Sequence, residues 1–422
     1  MPRPLLPPRR RAAFASIAAL ALAVTAALAG TTVASAASAP AVTACSVKNV
    51  TTGATSSSLK TAVKAAKAGA KLQVSGTCKG GVTLSRTLTL TGKHGATIKG
   101  GGPVLTIAAG AKVKVTGVTI TGGRAPACIE WTAFVCGGGI YNKGTLTLDR
   151  VTVRGNVAQP KTSATINSAW AAGIYNAPSG RMVIGRSTIS DNHAIAAPDG
   201  WAQGGGIGND GTLTVRSSTI SGNLTEGAES QGAGIYNEGT DTNIGHNTIG
   251  SLTLENTTIS GNDAGEAAGQ GGGLFADPYV AKTDLTFVSI VANQARTGGG
   301  LYLKASASLV ATLVTDNTGA LASPDCYSTG TIDADRSFIG AVDGCTISGA
   351  GDFNLTGTTA SPLPAGIGSL SANGGPTDTH ALLNTSVAID GAAYTPCPLG
   401  KDQRGVSRPQ GLTCDIGAFE KQ

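Results

Sequence analysis

Three tryptophans are the residues of this sequence best suited to contact a ligand. Trp131, Trp170 and Trp201 fall in three consecutive loops between repeated segments, and loops on a rigid scaffold commonly carry function. An indole can stack on a sugar ring, and neighbouring carboxylates can accept hydrogen bonds from the sugar hydroxyls. Acidic residues follow along the same loops: Asp199, Glu226, Glu229, Asp263 and Glu266. The three tryptophans are therefore candidate glycan-binding residues, and the alternative is that each indole only packs its own loop onto the protein.

Residues that could catalyse a reaction on a polysaccharide are not clustered in the sequence. A lyase needs a base beside carboxylates that bind calcium, and a hydrolase needs two carboxyl groups flanking the glycosidic bond. Asp191 and His193 come closest to a pair, but they flank Asn192, which belongs to a structural column of asparagines. The other charged residues on the predicted strands are isolated: Asp149, Arg150, Arg186, Arg216 and Glu255. We therefore assign no catalytic residue, no metal ligand and no cofactor from the sequence.

Eight cysteines and four histidines are the residues that could form disulfides or bind zinc. No C-x-x-C occurs and the histidines are scattered, so the spacing does not fit a zinc site. An even number of cysteines in an exported chain is typical of disulfides. Because an elongated fold brings together segments that are close in the sequence, we expect these pairs: Cys45 with Cys78, Cys128 with Cys136, Cys326 with Cys345, and Cys397 with Cys414.

The first 36 residues have the pattern of a secretory signal peptide. Four arginines, at positions 3, 9, 10 and 11, precede an apolar run at 12–29, and Ala34-Ser35-Ala36 offers a small-x-small cleavage pattern. The 31 basic residues less these four leave 27, against 25 acidic ones, so charge gives no reason to expect nucleic acid as a partner. No second long apolar segment follows. We expect a secreted protein, extracellular or held at the cell surface, without a transmembrane segment in the mature chain.

The middle of the chain repeats one phrase, GGGIYNKGTLTLDRVTVRGN at 137–156 and GGGIGNDGTLTVRSSTISGN at 204–223. Aligned copies form three apolar columns and one asparagine column: Ile140, Ile174, Ile207, Ile235, Leu274 and Leu301; Leu148, Ile184, Val215, Leu254, Leu285 and Leu309; Val153, Ile189, Ile220, Ile259, Ile290 and Val314; and Asn156, Asn192, Asn223, Asn262, Asn293 and Asn317. The period-two alternation within each copy predicts short strands with one apolar face, which a single copy cannot bury alone. Stacked copies of three strands predict an all-β fold, a right-handed parallel β-helix.

Both ends of the chain predict elements that cover this solenoid. SSSLKTAVKAAKAGAKLQVSG at 56–76 predicts a short helix that begins after one of three serines, stops at Gly69 and leads into a strand. We expect this helix to cap the open edge of the first coil. In the tail, five charged residues are expected to form an ion-pair network that closes the last coil: Asp390, Asp402, Arg404, Arg408 and Asp415.

The helix, the L-Q-V-S-G entry and the repeated coils resemble the right-handed β-helix repeat proteins of the pectin-lyase-like superfamily. The tail, SLSANGGPTDTHALLNTSVAID at 369–390 and then DQRGVSRPQGLTCDIGAFE at 402–420, is similar to the C-terminal region of bacterial choice-of-anchor Q surface proteins. The resemblance implies an exported bacterial repeat protein with a signal peptide at 1–36, a β-helix with its N-terminal cap at 37–355 and a C-terminal closing segment at 356–422. No sorting motif or apolar anchor follows Glu420, so release from the cell is the simpler expectation.

Enzymes of this superfamily act on polysaccharides, but one fold hosts many functions. Because no catalytic cluster is visible, we expect a non-catalytic protein of adhesion or extracellular glycan contact, whose partner is a polysaccharide or a cell-wall glycan. The alternative is a polysaccharide lyase or glycoside hydrolase with its catalytic groups on the loops. Clustered carboxylates with a nearby Arg or Lys on one sheet would favour the enzyme, and a bare Ser/Thr face would favour the binding protein.

Overall fold

The structure is a computed structural model that describes residues 43–128, 133–161, 165–239, 250–321, 323–349 and 353–422. Within these ranges the chain forms one helix, α1 (Leu59–Ala65), and 44 strands, most of which pair in parallel. No helical segment in these ranges has both the length and the apolar character that a membrane span requires. The signal peptide predicted at 1–36 and the candidate residue Trp131 lie outside the described residues.

The strands are short and follow one another along the whole described chain. The first coils contain β1 Ser46–Asn49, β2 Thr55–Ser56, β3 Ala70–Ser75, β4 Thr77–Lys79, β5 Val82–Leu84, β6 Leu88–Gly92, β7 Thr97–Lys99, β8 Leu105–Ile107, β9 Lys112–Thr116 and β10 Thr119–Thr121. The repeated coils contain β11 Phe134–Cys136, β12 Ile140–Asn142, β13 Thr145–Asp149, β14 Thr152–Arg154, β15 Val157–Ala158, β16 Ser168–Trp170, β17 Ile174–Asn176, β18 Arg181–Gly185, β19 Thr188–Ser190, β20 His193–Ile195, β21 Trp201–Gln203, β22 Ile207–Asn209, β23 Thr212–Arg216, β24 Thr219–Ser221, β25 Leu224–Glu226, β26 Glu229–Gln231, β27 Ile235–Asn237, β28 Ser251–Glu255, β29 Thr258–Ser260, β30 Gly269–Gln270, β31 Leu274–Ala276, β32 Lys282–Thr286, β33 Ser289–Val291, β34 Gln294–Ala295, β35 Leu301–Leu303, β36 Ala307–Val310, β37 Leu313–Thr315 and β38 Thr318–Gly319. The last strands are β39 Cys326–Asp335, β40 Phe338–Ile339, β41 Gly344–Ser348, β42 Leu355–Thr356, β43 Ile367–Ser371 and β44 Thr379–Leu382.

The coil at residues 204–231 shows the plan of the repeat. Strands β22 and β23 belong to a 21-stranded sheet and β24 to an 11-stranded sheet. The loop that follows adds β25 to a three-stranded sheet and β26 to a five-stranded sheet. Equivalent strands of successive coils pair in parallel, so that Ile207 is aligned with Ile174 on one side and Ile235 on the other. The fold is a parallel β-helix, as predicted.

The predicted apolar columns are confirmed as continuous ladders in the interior. Ile220 is aligned with Ile189 and Ile259, and all three side chains are fully buried. The other two columns are aligned in the same way from coil to coil. Because aromatic residues are only 4% of the chain, the core is built mainly from these repeated aliphatic contacts.

The asparagine column is confirmed as a chain of side-chain hydrogen bonds. From Asn156 to Asn293, each Nδ2 donates to Oδ1 of the next asparagine at 2.8–2.9 Å. Asn317, the last member, donates to Asp325 Oδ1 at 2.9 Å. A second buried ladder, not predicted from the sequence, has donor–acceptor distances of 2.7–2.8 Å and joins Asn142, Asn176, Asn209 and Asn237. The two ladders satisfy polar groups that the corners of the coils bury.

Helix α1 covers the first coil and buries Leu59 and Val63 in the core. It begins after Ser58, whose Oγ accepts a hydrogen bond at 3.3 Å from a backbone amide of the first turn. The helix ends at Ala65 rather than continuing to Gly69. The predicted stop was too late because Gly69, with φ of +81°, lies in the turn that leads directly into β3.

The eight cysteines form four disulfides between neighbours in the sequence. The pairs are Cys45–Cys78, Cys128–Cys136, Cys326–Cys345 and Cys397–Cys414, and no described cysteine is free. The pairing expected from an elongated fold is the one that the structure contains.

After β42, the last strand of the 11-stranded sheet, the C-terminal residues lie along the outer side of that sheet. Gln403 Nε2 donates to Thr219 Oγ1 at 3.0 Å, and Thr258 Oγ1 donates to Gln403 Oε1 at 2.7 Å. On the same strand as Thr258, Ser260 Oγ lies 2.9 Å from His380 Nε2, and burial lowers the pKa of this histidine. The segment therefore attaches to the side of several coils through buried polar contacts.

Two ion pairs hold this segment together. Arg408 Nη1 lies 2.7 Å from Glu420 Oε2 with both side chains fully buried, and Arg404 pairs with Asp402 at 2.8 Å. The predicted network is thus present in part, but Arg408 pairs with Glu420, which the sequence did not single out. Asp415 does not supply that carboxylate because its two oxygens accept backbone amide hydrogen bonds instead.

Candidate functional site

Aromatic side chains form a ladder on the outer face of the 21-stranded sheet. They occupy the second position of their strands, whose first residues point into the core, so they face outward. The rings form two stacks, one of Tyr141 and Tyr175 and one that runs from Tyr236 to Tyr327. Within each stack, successive ring centroids lie 4.8–5.2 Å apart. This aromatic ladder consists of Tyr141, Tyr175, Tyr236, Phe275, Tyr302 and Tyr327.

Trp170 completes the ladder where the strand residue has no side chain. Gly208 is aligned with Tyr175 and Tyr236, and a Cβ on this glycine would come 2.5 Å from Trp170 Nε1. The indole centroid lies 5.3 Å from the ring of Tyr175 and 6.1 Å from that of Tyr236. Because the side chain is 2% exposed, Trp170 has no ring face for a sugar and packs its strand onto the sheet. This is the alternative that the sequence left open.

Trp201 is placed differently and is 48% exposed. It is the first residue of β21, and its backbone amide donates to Ser168 Oγ at 3.1 Å. Phe134 packs near the indole at a centroid distance of 6.5 Å and rests in turn on Trp170 at 5.7 Å. Trp201 is therefore an exposed indole held by a rigid aromatic base. Of the two described tryptophans, only Trp201 is exposed, so Trp170 and Trp201 do not form an exposed strip together.

Three acidic residues lie on the strands and the loop next to this indole. Glu229, on β26, is aligned with Trp201. Glu226 is the last residue of β25, the strand that precedes β26, and Asp199 lies two residues before Trp201. All three acids are exposed, and no described Lys or Arg forms a salt bridge with them. The strands of the three-stranded and five-stranded sheets contain neither Lys nor Arg. We call Trp201, Asp199, Glu226 and Glu229 the acidic loop face.

A second group of acids lies beside the aromatic ladder. Asp210, Glu238 and Asp277 each follow a strand asparagine or its equivalent in three consecutive coils, and backbone hydrogen bonds keep them aligned. Asp210 is 1% and Glu238 8% exposed. Tyr175 Oη donates to Asp210 Oδ2 at 2.6 Å, and Tyr236 Oη donates to Asp277. We call the three acids the carboxyl ladder.

Burial and mutual repulsion shift the titration of the carboxyl ladder. Burial raises the pKa of Glu238 well above its usual value, and the charges of Asp277 and Asp210 raise it further. Burial also raises the pKa of Asp277, whereas hydrogen bonding from Tyr236 and the charge of Lys304 oppose that rise. Lys304 Nζ lies 3.7 Å from Asp277 Oδ1. Of Glu238 and Asp277, Glu238 therefore holds a proton more strongly, which is the property of a general acid.

The sequence contained a signal for the carboxyl ladder that the prediction missed. The outward positions within the predicted strands show no cluster of acids, because these three acids occupy the position just after each short strand. In aligned copies that position reads Lys143, Ala177, Asp210, Glu238, Asp277 and Lys304. Within the described ranges, no three or more His, Cys, Asp or Glu side chains are arranged to hold a metal ion.

Charged residues expected to be isolated also meet across neighbouring coils. Arg186 lies 2.7 Å from Asp149, and Arg216 lies 2.7 Å from Glu255. The expectation of isolation was wrong because parallel stacking places the ends of successive strands side by side. Both arginines are more than half exposed, so these pairs are surface ion pairs of small energetic effect.

Comparison with known proteins identifies no relative of this chain. No family model, no curated protein and no solved structure matches this chain. Two features of the described residues are therefore the basis for assigning a function: the exposed acidic loop face around Trp201 and the buried carboxyl ladder beside the aromatic residues.

Proposed function

We propose that this protein is a secreted, non-catalytic β-helix protein that contacts extracellular glycan, in adhesion or on a cell-wall surface, through Trp201. The observation that carries the proposal is the 48% exposure of this indole on a strand of the scaffold. The apolar face of a sugar ring packs on an exposed indole, and nearby carboxylates accept hydrogen bonds from its hydroxyls. Because Phe134 and Trp170 support the ring, little side-chain freedom is lost on binding.

An extracellular location is part of this proposal. Four disulfides are typical of an oxidising compartment, and the sequence begins with the pattern of a signal peptide. We retain, also as a proposal, the kinship with pectin-lyase-like β-helix proteins and with choice-of-anchor Q surface proteins. Those resemblances favour an exported bacterial protein that works at or near a cell surface.

A glycoside hydrolase or polysaccharide lyase is the second candidate, and the carboxyl ladder is the observation that favours it. Glu238 would donate a proton and Asp277, which accepts a hydrogen bond from Tyr236, would act as the ionised partner. Access argues against this assignment, since Glu238 is 8% and Asp210 1% exposed. A polymer can reach Trp201 directly but cannot reach these carboxyl groups without displacing the residues that cover them. We therefore place binding before catalysis.

One experiment separates the two candidates. The purified protein is incubated with a panel of insoluble polysaccharides, and both its retention and the release of reducing ends or unsaturated products are measured. Retention without release, lost in Trp201→Ala and kept in Tyr279→Ala, supports the binding function; Tyr279 is a comparable control because it is 51% exposed. Product release that Glu238→Gln abolishes would instead establish the enzyme and overturn the non-catalytic assignment.

A further inference from the structure

The acidic loop face carries carboxylates that form no salt bridge within the described part of the chain. Besides Asp199, Glu226 and Glu229, the next loop brings Asp263 and Glu266 to the same edge. None of these five acids forms a salt bridge with a described Lys or Arg. Two described arginines lie at the ends of this edge: Arg124 is aligned with Val157, three coils before Asp263, and Arg296 donates to the carbonyl of Ala267 through Nη1. The surface that surrounds the exposed indole is therefore electronegative.

The backbone places two of these acids directly beside the indole. Glu229 is the aligned partner of Trp201, about one strand spacing (~4.8 Å) away along the solenoid axis. Glu226 lies at the other side of the same corner, and the Ala228 amide between the two glutamates donates to the carbonyl of Gly200 at 2.9 Å. This bond fastens the corner next to Asp199. A ligand that stacks on Trp201 and extends along the axis toward the following coil therefore passes Glu229.

From this arrangement we propose that the glycan recognised at Trp201 is a cationic amino-sugar polymer; the inference rests on the proposed glycan-binding function. A protonated amino group forms a charge-assisted hydrogen bond with a carboxylate and is attracted to the face of an indole. Both partners are present at this corner, as the carboxylate of Glu229 and the ring of Trp201. A polymer of uronic acids would instead bring like charges against all five acids and be repelled.

Three immobilised polymers test the charge preference: a β-1,4-linked glucosamine polymer, its N-acetylated counterpart and polygalacturonate. Binding is measured at about pH 5.5, where ordinary Asp and Glu side chains are ionised. We expect the protein to bind the glucosamine polymer about tenfold more tightly than the acetylated polymer, as one charge-assisted contact allows. Binding to polygalacturonate should be absent. Added salt should reduce the preference for the charged polymer, because exposed charges are screened.

Single substitutions test whether the preference for the glucosamine polymer arises at Trp201 and Glu229. Glu229→Gln should weaken binding to the glucosamine polymer by about three- to tenfold and binding to the acetylated polymer by a smaller factor, since Gln keeps an oxygen that accepts from sugar hydroxyls and loses only the charge. Trp201→Ala should weaken binding to both, whereas Trp201→Phe should keep part of it. Asp333→Asn, an exposed acid on another sheet, serves as the charge-matched control and should change neither. Circular dichroism confirms that each variant keeps its β-sheet signal.

The outcomes distinguish this inference from the function on which it rests. Equal binding to the acetylated and glucosamine polymers, or preference for polygalacturonate, would overturn the amino-sugar inference while leaving glycan binding in place. Retention on none of the three polymers or of the wider polysaccharide panel would overturn both. Tighter binding to the glucosamine polymer that Glu229→Gln leaves unchanged would also reject it, because the preference would then arise elsewhere on the surface.

Discussion

The indole of Trp170 occupies the space that Gly208 leaves open in the aromatic ladder. A Cβ at Gly208 would lie 2.5 Å from Trp170 Nε1, closer than two such atoms can approach. The indole, which comes from the strand of a loop, thus continues a stack of rings that the short strands of the coils build. The loop that carries Trp170 can pack on the coil only because residue 208 is a glycine.

Gly208→Ala should therefore destabilise the protein by about 1–3 kcal/mol, the cost typical of forcing extra atoms into a packed interior. Gly185→Ala is the matched control, because a Cβ there would meet nothing closer than 3.9 Å and the glycine also lies in a strand. Its free energy of unfolding should be unchanged or slightly higher. Both values are measured by denaturant unfolding. Equal stabilities of the two variants would show that Trp170 does not depend on the glycine.

Ile220→Ala should lower the free energy of unfolding by roughly 2–5 kcal/mol, because it leaves a cavity between Ile189 and Ile259. Ile220→Asp should prevent accumulation of folded protein, since it places an unpaired charge in the same ladder. Yield and thermal unfolding report on both changes. A normal melting curve for the Asp variant would contradict the alignment of this ladder.

Asp325 should make stability depend on pH. Burial raises its pKa to about 6, despite hydrogen bonds from the side chain and backbone of Asn317. Since an unfolded Asp titrates near 3.9, the native state binds more protons between about pH 4 and 6, and the contribution of Asp325 to stability is lost as the pH rises through that window. Asp325→Asn keeps the accepting oxygen without the charge and should flatten this part of the decline.

The measurement for Asp325 is the denaturant midpoint at several pH values from about 4 to 8. Burial also raises the pKa of Asp415 to about 6. The Asp325→Asn variant should therefore keep the part of the decline in stability that comes from Asp415. Identical pH profiles for the variant and the wild type would reject the role of Asp325.

Arg408→Ala should cost about 3–5 kcal/mol, because Glu420 would remain buried without its partner. The same change removes the guanidinium from the ring of Phe287, 4.1 Å away, and so loosens the tail from the side of the coils. Limited proteolysis should cut within 353–422 before it cuts the coils. Arg150→Ala, which removes an exposed pair with Asp149, is the control and should change stability by less than about 1 kcal/mol. A tail as resistant to proteolysis as that of the wild type would contradict the expectation.

The alignment of the coils could be predicted from the sequence because each column repeats one residue type at one position. Ile220 and its neighbours recur with the spacing of the repeat, and burial of one apolar face leaves a single register that satisfies all copies. The asparagine corner recurs for the same reason, since only a side chain with both a donor and an acceptor continues the hydrogen bonds from coil to coil.

The different environments of Trp170 and Trp201 could not be predicted in the same way. Both lie in loops of unequal length, whose register is set by pairing within the five-stranded sheet. There Trp170 is aligned with Gln203, whereas Trp201 comes two residues earlier along its strand. That offset of about 6.6 Å along the strand places one indole under the loops and the other at their edge. Loop sequences without a repeated phrase contain no periodic signal that would reveal it.

The asparagine chain has a direction. Every Nδ2 points toward the next coil, from Asn156 through to Asn317, and the final acceptor is the carboxylate of Asp325, which has no proton to pass on when ionised. Insertion of a whole coil therefore requires only one more asparagine at the corner, and the chain remains unbroken. At the end of the chain, the carboxylate of Asp325 takes the place that the next asparagine amide would have. A duplication of middle coils would therefore lengthen the hydrogen-bonded chain without changing its end, where Asn317 donates to Asp325.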